Sequence, residues 1–212
     1  MTLLSLRLSR FDHDYTLANV VGLTDDGLYA LIRTLGGGFT GSSDNNNSDA
    51  VHRIDLTTGD SIRLDVDAQG NSVITPGWSL GEIDMTPDGS RVVMEIPDRY
   101  IDTDTVSIYL KDLATGSLTR IDDVEVKRGG GIEESYSPRI SDDGQRVLFT
   151  SNKSDLPEGD VIDTTDGLGL YIFDQESGQI SHVHTFLRPL PGGGYGPDIS
   201  GDGEFVLYTD SP

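Results

Sequence analysis

Short hydrophobic runs of strand length, separated by polar turns, recur along the whole chain. The pattern is clearest between residues 137 and 184, where four such runs follow one another. The first is expected to be extended because Ser137 precedes a proline, and a residue in that position is pushed toward the β region. The last alternates apolar and polar side chains, as a half-buried strand does. The pattern therefore predicts four antiparallel strands, at 137–141, 146–150, 170–173 and 180–184.

Two kinds of polar turn connect these runs. An Asp-Gly turn, whose central residues are expected to have positive φ, joins the first two strands. It ends at Gly27, Gly89, Gly144 and Gly203. A second turn, with Asp and Gly four positions apart, joins the last two strands at 55–59, 112–116 and 174–178. Differences in length are absorbed partly between the second and third strands, at 36–49, 98–105 and 151–169.

This unit repeats about every 60 residues, and a four-stranded unit cannot bury both of its faces alone. The predicted fold is therefore all-β, a β-propeller built from four-stranded antiparallel blades, with about three complete blades and partial terminal blades. The repeat units are expected at about 17–76, 77–135 and 136–195, with a partial unit at 196–212 joined by residues 1–10. Residues 1–212 together are expected to form a single propeller domain or a propeller fragment.

The best repeat carries a recognisable motif. Residues 137–151, SPRISDDGQRVLFTS, and the turn at 171–178, YIFDQESG, resemble the blades of TolB-like, WD-like β-propellers. Residues 196–209 are a second good copy, and the copies at 83–95 and 20–33 are weaker. The resemblance covers nearly the whole chain and implies propeller architecture and a periplasmic or extracellular location. It implies no particular activity, because such folds serve many unrelated functions.

The first ten residues lack the basic segment and the continuous apolar core of a signal peptide. Leu4, Leu6 and Leu8 alternate with polar residues and are expected to form a strand. That strand would either complete the last blade and close a four-bladed ring, or belong to a larger propeller of which this chain is a piece, completed by another copy or chain. The second alternative is favoured, because four blades lie at the small end of the propeller range.

Charge and composition limit the classes of partner that the chain can bind. The chain has 36 acidic and 15 basic residues, which gives a net charge of −21. Such a surface repels phosphate backbones, so nucleic acid is not expected as a partner, whereas divalent cations and basic partners are attracted. No run approaches the roughly 18 apolar residues of a membrane helix. The absence of cysteine rules out disulfides and thiolate metal sites.

Catalytic motifs are weak. The Gly-Gly-Gly runs at 36–38, 129–131 and 192–194 lack the Lys-Ser/Thr of a phosphate-binding loop and are expected to be connectors. A serine nucleophile elbow is not expected either. His182 and His184 are two apart on a predicted strand, so both are expected on one face, as a metal pair requires. Half-exposed histidines without a ligand are the simpler interpretation, and Trp78 is expected to pack between blades.

Acidic loops are the best candidate sites. One loop of the best repeat holds five carboxylates, at Asp155, Glu158, Asp160, Asp163 and Asp166. Residues 44–49 occupy the equivalent loop of the first unit with Asp, Asn and Ser. Hard oxygen ligands of this kind suit Ca²⁺, although the spacing does not fit the EF-hand template. Ca²⁺ is thus the one candidate cofactor, and solvated loops without a ligand are the alternative.

The sequence favours a non-catalytic propeller module that engages a protein or small ligand through blade-edge loops at the propeller mouth. The alternative is the propeller portion of a larger hydrolase or lyase, which would gate substrate or contribute metal ligands. Homo-oligomers could form through open blade edges. The core is expected at apolar strand positions, namely Val92, Met94, Ile108, Leu110, Val147, Phe149, Tyr171 and Phe173.

Overall fold

The structure of the chain is a computed structural model. It describes residues 17–35, 49–74, 79–98, 105–122, 134–153, 156–157, 168–186 and 196–209. Within these ranges the secondary structure consists of strands, at β1 Leu17–Leu23, β2 Tyr29–Leu35, β3 Ala50–Asp55, β4 Ser61–Arg63, β5 Ile83–Met85, β6 Arg91–Asp98, β7 Thr105–Asp112, β8 Leu118–Arg120, β9 Ser135–Ile140, β10 Arg146–Ser151, β11 Leu168–Asp174, β12 Gln179–Phe186, β13 Asp198–Ile199 and β14 Val206–Leu207. Across the same ranges, no helix is both long and apolar enough to span a lipid bilayer.

The strands form successive antiparallel sheets. Sheet 1 has the order β1-β2-β3-β4, sheet 2 the order β5-β6-β7-β8 and sheet 3 the order β9-β10-β11-β12, while sheet 4 pairs β13 with β14. Each strand pairs with its neighbour in sequence, because short turns join antiparallel strands directly. The prediction of four antiparallel strands per unit is confirmed for sheets 1 to 3.

The sheets stack face to face. One face of sheet 3, with Val147, Phe149 and Tyr171, packs on Val93 and Ile108 of sheet 2. Its other face packs on sheet 4 through the cluster of Leu148, Leu170, Phe186, Ile199, Val206 and Tyr208. Successive strand residues point to opposite faces, so one strand can serve two interfaces. The predicted core positions are buried as expected, except that Phe173 is half-buried against the cluster.

The first strands of neighbouring sheets contact one another. β5 packs against β1 on one side and against β9 on the other, and β9 also contacts β13. The sheets are therefore arranged around a common axis with their first strands innermost, as propeller blades are.

The two ends of the sheets differ. In an antiparallel meander, alternate connections leave from opposite ends. The short turns that follow each first and third strand leave from one end, which we name the turn face. The connections from β2 to β3, from β6 to β7 and from β10 to β11 leave from the other end, together with those between sheets, and this end is the loop face.

One hydroxyl organises the first turn of each repeat. Ser141 Oγ donates to Asp143 Oδ1 at 2.6 Å and accepts the N–H of Arg146 at 3.0 Å. Gly144 donates its N–H to Ser141 O at 2.8 Å and has the predicted positive φ, 69°. The same contacts recur at Thr24, Thr86 and Ser200.

The prediction of positive φ at both residues of these Asp-Gly turns is right for the glycine and wrong for the aspartate before it. Among the described residues that are not glycine, only Ser137 has positive φ, so the turn aspartates do not. The hydrogen bond from the glycine N–H spans three residues, as in a type I turn, and that turn type keeps its central residues right-handed. Left-handed backbone is needed only at the glycine that follows.

Ser137 departs from the extended conformation predicted for it. Its φ is 52°, and Gly196, at the same register in the next repeat, has a φ of 41°. The pairing of β9 with β10 shifts register between Leu148 and Thr150, so Ser137 lies in a β-bulge. Bulges commonly place one residue in the left-handed region. The N–H of Ser137 then points to sheet 2, where it donates to Glu95 Oε2 at 3.1 Å.

Arginines join each repeat to the next at the turn face. Arg53 donates to Gly89 O at 3.3 Å, Arg91 to Gly144 O at 3.0 Å and Arg146 to Gly203 O at 2.7 Å. In sheet 1 the position equivalent to Arg91 and Arg146, five residues after the turn hydroxyl, is occupied by Tyr29. The guanidinium carbon of Arg53 lies over the ring of Tyr29, 4.3 Å from its centroid. Every junction between described sheets therefore has one guanidinium on the next turn.

Candidate functional site

The innermost strands bring charged side chains together at the centre of the stacked sheets. A charged residue occupies the equivalent position in three repeats, two residues before the turn hydroxyl. These residues are Asp84 on β5, Arg139 on β9 and Asp198 on β13. Glu82 and Glu95 lie beside them on the sheet 2 side. These five residues form the candidate site, which we name the central cluster.

Asp84 links sheets 2 and 3 through backbone groups. Its Oδ1 accepts the N–H of Met85 at 2.9 Å, and its Oδ2 accepts the N–H of Ile140 at 3.0 Å. Burial raises the pKa of the carboxyl above its usual value, because desolvation penalises the charged form more than the two hydrogen bonds favour it. Asp84 thus keeps a proton to higher pH than an exposed aspartate.

Glu95 forms the second link between these sheets. Its Oε2 accepts the N–H of Ser137, and its side chain lies against Gly81, where a Cβ would come within 2.1 Å of Oε1. Burial raises the pKa of Glu95, although the hydrogen bond from Ser137 opposes the shift. A side chain at position 81 would displace this carboxylate from its present position.

Arg139 is the cation of the central cluster. Its Nη1 donates to Glu82 Oε2 at 2.7 Å and to Pro138 O at 2.8 Å. The Glu82 side chain is half exposed, so this ion pair lies in contact with solvent and is weak. The central cluster can present carboxylates to a cation and can exchange protons, but its buried oxygens already accept backbone N–H groups.

A buried ion pair lies further from the axis, between sheets 2 and 3. Lys153, which follows β10, contacts Asp122 through Nζ and donates to Ser107 Oγ at 3.1 Å. Arg120 also donates to Asp122 Oδ1 at 3.3 Å. Lys153 and Asp122 are inaccessible to solvent, so this group holds two sheets together and cannot meet a substrate.

The equivalent aspartate of sheet 1 is also buried. Asp65 forms an ion pair with Arg63. It also accepts hydrogen bonds from the N–H of Val51 at 2.9 Å and from the hydroxyl of Ser72 at 2.8 Å. Neither buried group was predicted from the sequence. The signal that could have found them is the repeated Arg-x-Asp that begins at the last residue of the fourth strand, at 63–65 and 120–122.

The turn-face aspartates serve the scaffold. A hydroxyl donor within the turn lowers the pKa of Asp26, Asp88, Asp143 and Asp202. In the second turns, Asp55, Asp112 and Asp174 accept backbone N–H groups and hydroxyls within the turn. These carboxylates remain ionised at neutral pH and give the turn face a negative charge.

The predicted calcium loop lies outside the described residues. All five of its carboxylates, Asp155, Glu158, Asp160, Asp163 and Asp166, fall there, so their arrangement stays a prediction. Leu156 is described and is buried in the cluster that contains Phe149 and Ile121. Within the part of the chain that the structure describes, no group of three or more His, Asp or Glu side chains is placed to hold a metal ion.

Asp49 of the equivalent first loop has a structural role. It is buried and pairs with Arg33, whose Nη2 lies 2.6 Å from Oδ2. The same oxygen accepts the N–H of Leu80 at 2.9 Å. Its two partners tie sheet 1 to the start of sheet 2, which makes Asp49 a poor candidate for a cation ligand.

The prediction that His182 and His184 share a face is wrong. His182 pairs with Tyr171 and His184 with Leu170, and the register shifts between these pairs. Because a bulge adds one residue, the two histidines point to opposite faces. His182 packs on Tyr171 toward sheet 2, while His184 stacks on Tyr208 of sheet 4 with ring centroids 4.7 Å apart. They cannot bind one metal ion together.

Several predictions fall outside the described residues. Trp78 and the Gly-Gly-Gly runs at 36–38, 129–131 and 192–194 are among them, and His13 also lies outside the described residues. The remaining histidine, His52, is buried in sheet 1 beside Asp65 and Arg63, and burial lowers its pKa from 6.5 to about 4. It is neutral at physiological pH.

One Gly-x-Ser-x-Gly sequence is present, at 77–81. A nucleophile elbow needs a helix directly after this motif, and here β5 begins at Ile83 instead. The described part of the segment serves the junction of sheets 1 and 2: Leu80 donates to Asp49, and Gly81 O lies 3.5 Å from Arg33 Nη1. Ser79 therefore lacks the local structure of a catalytic serine.

Comparison with known proteins supports the fold. No family model and no curated protein sequence matches the chain. Among solved structures, TolB from Acinetobacter baumannii aligns with a TM-score of 0.51 and 17% identity over 92% of this chain and 38% of the TolB chain. An oligogalacturonate lyase in complex with manganese aligns with a TM-score of 0.53 and 13% identity over 90% of this chain and 46% of the lyase chain.

The chain thus spans less than half the length of either protein. At such low identity, the likeness concerns architecture and carries no activity or residue role to this chain. Stacked four-stranded sheets with innermost first strands lead to the same architecture independently. The chain has the fold of a TolB-like β-propeller.

Proposed function

We propose that this chain is a non-catalytic propeller module that binds a protein or other ligand through its loop face. The difference between the two ends of the sheets carries the proposal. At the turn face every repeat has the same hydrogen-bonded turns, held by Ser or Thr hydroxyls and aspartates. The loop face carries connections of unequal length, at 36–49, 99–104 and 152–167. Binding residues are commonly found on variable loops that a rigid scaffold holds in position.

The hydrogen bonds and ion pairs of the buried polar groups support a structural role without catalysis. Asp84 and Glu95 accept backbone N–H groups from sheet 3, and Lys153 pairs with Asp122 inside the protein. The net charge of −21 favours a basic partner or a divalent cation at the loop face. The five carboxylates between residues 155 and 166 are the candidate contacts.

The alternative function is the propeller portion of a hydrolase or lyase. Two half-buried carboxyls with raised pKa, Asp84 and Glu95, favour it, since perturbed acids are common at catalytic centres. The fold likeness to a lyase is compatible with it. Both carboxylates are nevertheless engaged with sheet 3, so a substrate would have to displace backbone hydrogen bonds.

A capture experiment tests the proposal. The full chain is immobilised beside a variant in which residues 155–166 are replaced by a Gly-Ser linker of equal length. The expected result is a partner that the full chain retains and the loop variant loses. Glu176→Gln on the turn face is the matched control and should retain the partner, because Glu176 is exposed and far from the loops.

Two results would overturn the proposal. Equal capture by the full chain and the loop variant would exclude this loop as the binding surface. Turnover of polygalacturonate or of a peptide panel by the chain, abolished in Asp84→Asn, would favour the enzymatic alternative. Circular dichroism of each variant shows that the sheets remain folded.

A further inference from the structure

The fourth strand of sheet 3 is longer than its equivalents in sheets 1 and 2. β12 has eight residues and pairs with β11 from Gln179 to Phe186, whereas β4 and β8 have three residues each. The fourth strand is the outermost strand of each sheet, and in the described part of the chain no strand lies on the outer side of β12. Sheet 3 therefore has the longest outer edge of the three four-stranded sheets.

One local difference in sequence explains the longer strand. In sheet 1 the Asp65 carboxylate accepts the N–H of Val51, which a continued fourth strand would otherwise bind. Asp122 occupies the equivalent position in sheet 2. In sheet 3 the Arg-x-Asp sequence is replaced by His-x-His at 182–184, so no carboxylate ends the pairing and β12 continues to Phe186.

β12 also lacks the charges that usually protect an exposed edge. Edge strands are protected against pairing with other chains by shortness, by charged side chains or by bulges. β4 and β8 are short and each contains an arginine, whereas residues 179–186 contain no Asp, Glu, Lys or Arg. A bulge interrupts β12 between His182 and His184. The regular part of its edge is therefore 179–182, where Gln179 and Ser181 are exposed.

The backbone of this segment presents hydrogen-bonding groups outward. In sheet 1 the N–H of Asp55 donates to Asp60 O at 2.8 Å, so the residue that follows the second turn is hydrogen-bonded to the third strand. Gln179 is the equivalent residue of β12. Residues bonded to the neighbouring strand alternate with residues that face away from it. The N–H and C=O groups of Ile180 and His182 therefore point to the open edge.

We propose that residues 179–182 of β12 bind an extended segment of a partner protein, which adds a fifth strand to sheet 3. In this mode of recognition the main-chain hydrogen bonds supply affinity. The net charge of −21 attracts a segment with Lys or Arg side chains and repels an acidic one. A second copy of this chain carries the same negative charge, which disfavours it as the occupant. The edge is separate from the loop face, so the inference does not depend on the proposed function.

A synthetic octapeptide of alternating valine and lysine tests the proposal. Fluorescence anisotropy of the labelled peptide should show saturable binding to the full chain. A second octapeptide has the same lysines with proline in place of each valine, so it keeps the charge but loses half of its backbone donors. It should bind at least about tenfold more weakly, because proline also disfavours the geometry of a paired strand.

Two matched variants locate the binding site. Ser181→Lys places a charge in the middle of the edge and should weaken binding of the valine-lysine peptide at least about tenfold, since like charges on neighbouring strands repel. Thr119→Lys adds the same charge at the equivalent exposed position of β8 and should leave binding unchanged. Both side chains are exposed, so both variants should remain folded, which circular dichroism checks.

Amide hydrogen exchange gives a direct reading of the contact. The amide protons of Ile180 and His182 should exchange more slowly in the presence of the valine-lysine peptide, because the added strand covers them. Absence of saturable binding would overturn the proposal. Equal binding of the two peptides, or equal losses in the two variants, would indicate attraction by charge alone and would overturn it too. A dimer that forms without peptide and is lost in Ser181→Lys would make a second copy the occupant and would also contradict it.

Discussion

Arg91 of sheet 2 lies directly on Gly144 of sheet 3. Its Nη1 donates to Gly144 O at 3.0 Å, and a Cβ at Gly144 would stand 2.8 Å from Arg91 Cδ. Two features favour glycine at position 144. Its φ is 69°, and the side chain of Arg91 occupies the space that a Cβ would need. One residue thus serves both the turn of its own repeat and the contact with the preceding one.

Gly144→Ala should destabilise the protein more than Gly27→Ala. Both glycines have φ near 70°, so each substitution carries the left-handed penalty of about 1–2 kcal/mol. Only position 144 adds the clash with Arg91, worth roughly a further 1–3 kcal/mol. Urea unfolding measures both free energies. Equal losses would mean that Arg91 moves aside without cost.

Removal of the buried Lys153 should be far more damaging than removal of the partly exposed Arg139. Lys153→Met leaves Asp122 buried with only Arg120 beside it, and we expect a loss of roughly 3–5 kcal/mol in the free energy of unfolding. Arg139→Met breaks the solvent-exposed pair with Glu82 and should cost at most about 1 kcal/mol. The double variant Lys153→Met/Asp122→Leu should recover part of the loss. No recovery would show that shape, rather than charge, limits the site.

His52 should make the protein less stable as the pH falls from 6.5 to 4. Its pKa is lowered from 6.5 to about 4 in the folded protein, so the unfolded chain binds the extra proton across this window. The contribution is complete above pH 6.5 and lost by pH 4, and amounts to roughly 3 kcal/mol.

A comparison with His52→Leu isolates this effect. Asp84 and Glu95 have raised pKa values and contribute with the opposite sign, losing stability as the pH rises through their folded pKa. Both proteins retain these carboxyls, so the difference between their urea unfolding curves against pH reports His52. An identical pH dependence in the two proteins would contradict the prediction.

Ser137→Gly should stabilise the protein by about 1 kcal/mol. A serine at φ 52° is strained, and glycine relieves the strain while leaving the N–H that donates to Glu95. The neighbouring repeat already has glycine, Gly196, at this register. Ser135→Gly is the control and should destabilise, because it removes the hydroxyl that bonds Ser151 Oγ at 2.9 Å. A lower thermal midpoint for Ser137→Gly would contradict the strain argument.

Calcium should bind the acidic loop if the sequence interpretation is right. Isothermal titration of the chain with Ca²⁺ should give a saturable signal, and Asp160→Asn/Asp163→Asn should weaken it at least about tenfold, since hard cations depend on carboxylate charge. Glu176→Gln, which removes one carboxylate elsewhere on the surface, serves as a control and should leave the signal unchanged. A signal unaffected by the double substitution would place the bound ion at another site.

Much of the architecture follows from local sequence. The Asp-Gly turns and the runs such as Arg146–Thr150 recur with a fixed order, and each is dictated by backbone preferences within a few residues. The apolar alternation that places Val147 and Leu148 on opposite faces is also local, so sheets able to stack on both faces were predictable. A repeat resembling known propeller blades then predicted how those sheets stack.

The positions of individual polar side chains depend on contacts between strands and between sheets. A one-residue bulge in β12 separates His182 from His184, and a bulge in β9 turns the N–H of Ser137 toward Glu95. Bulges depend on the pairing of two strands, and the sequence of one strand does not specify them. The same holds for Lys153, whose partner Asp122 lies 31 positions earlier in the chain. Strands, turns and the repeat could be predicted from the sequence, because they depend on neighbours in the chain. Which charges are buried, paired or exposed depends on how the sheets stack, because those contacts join residues of different repeats.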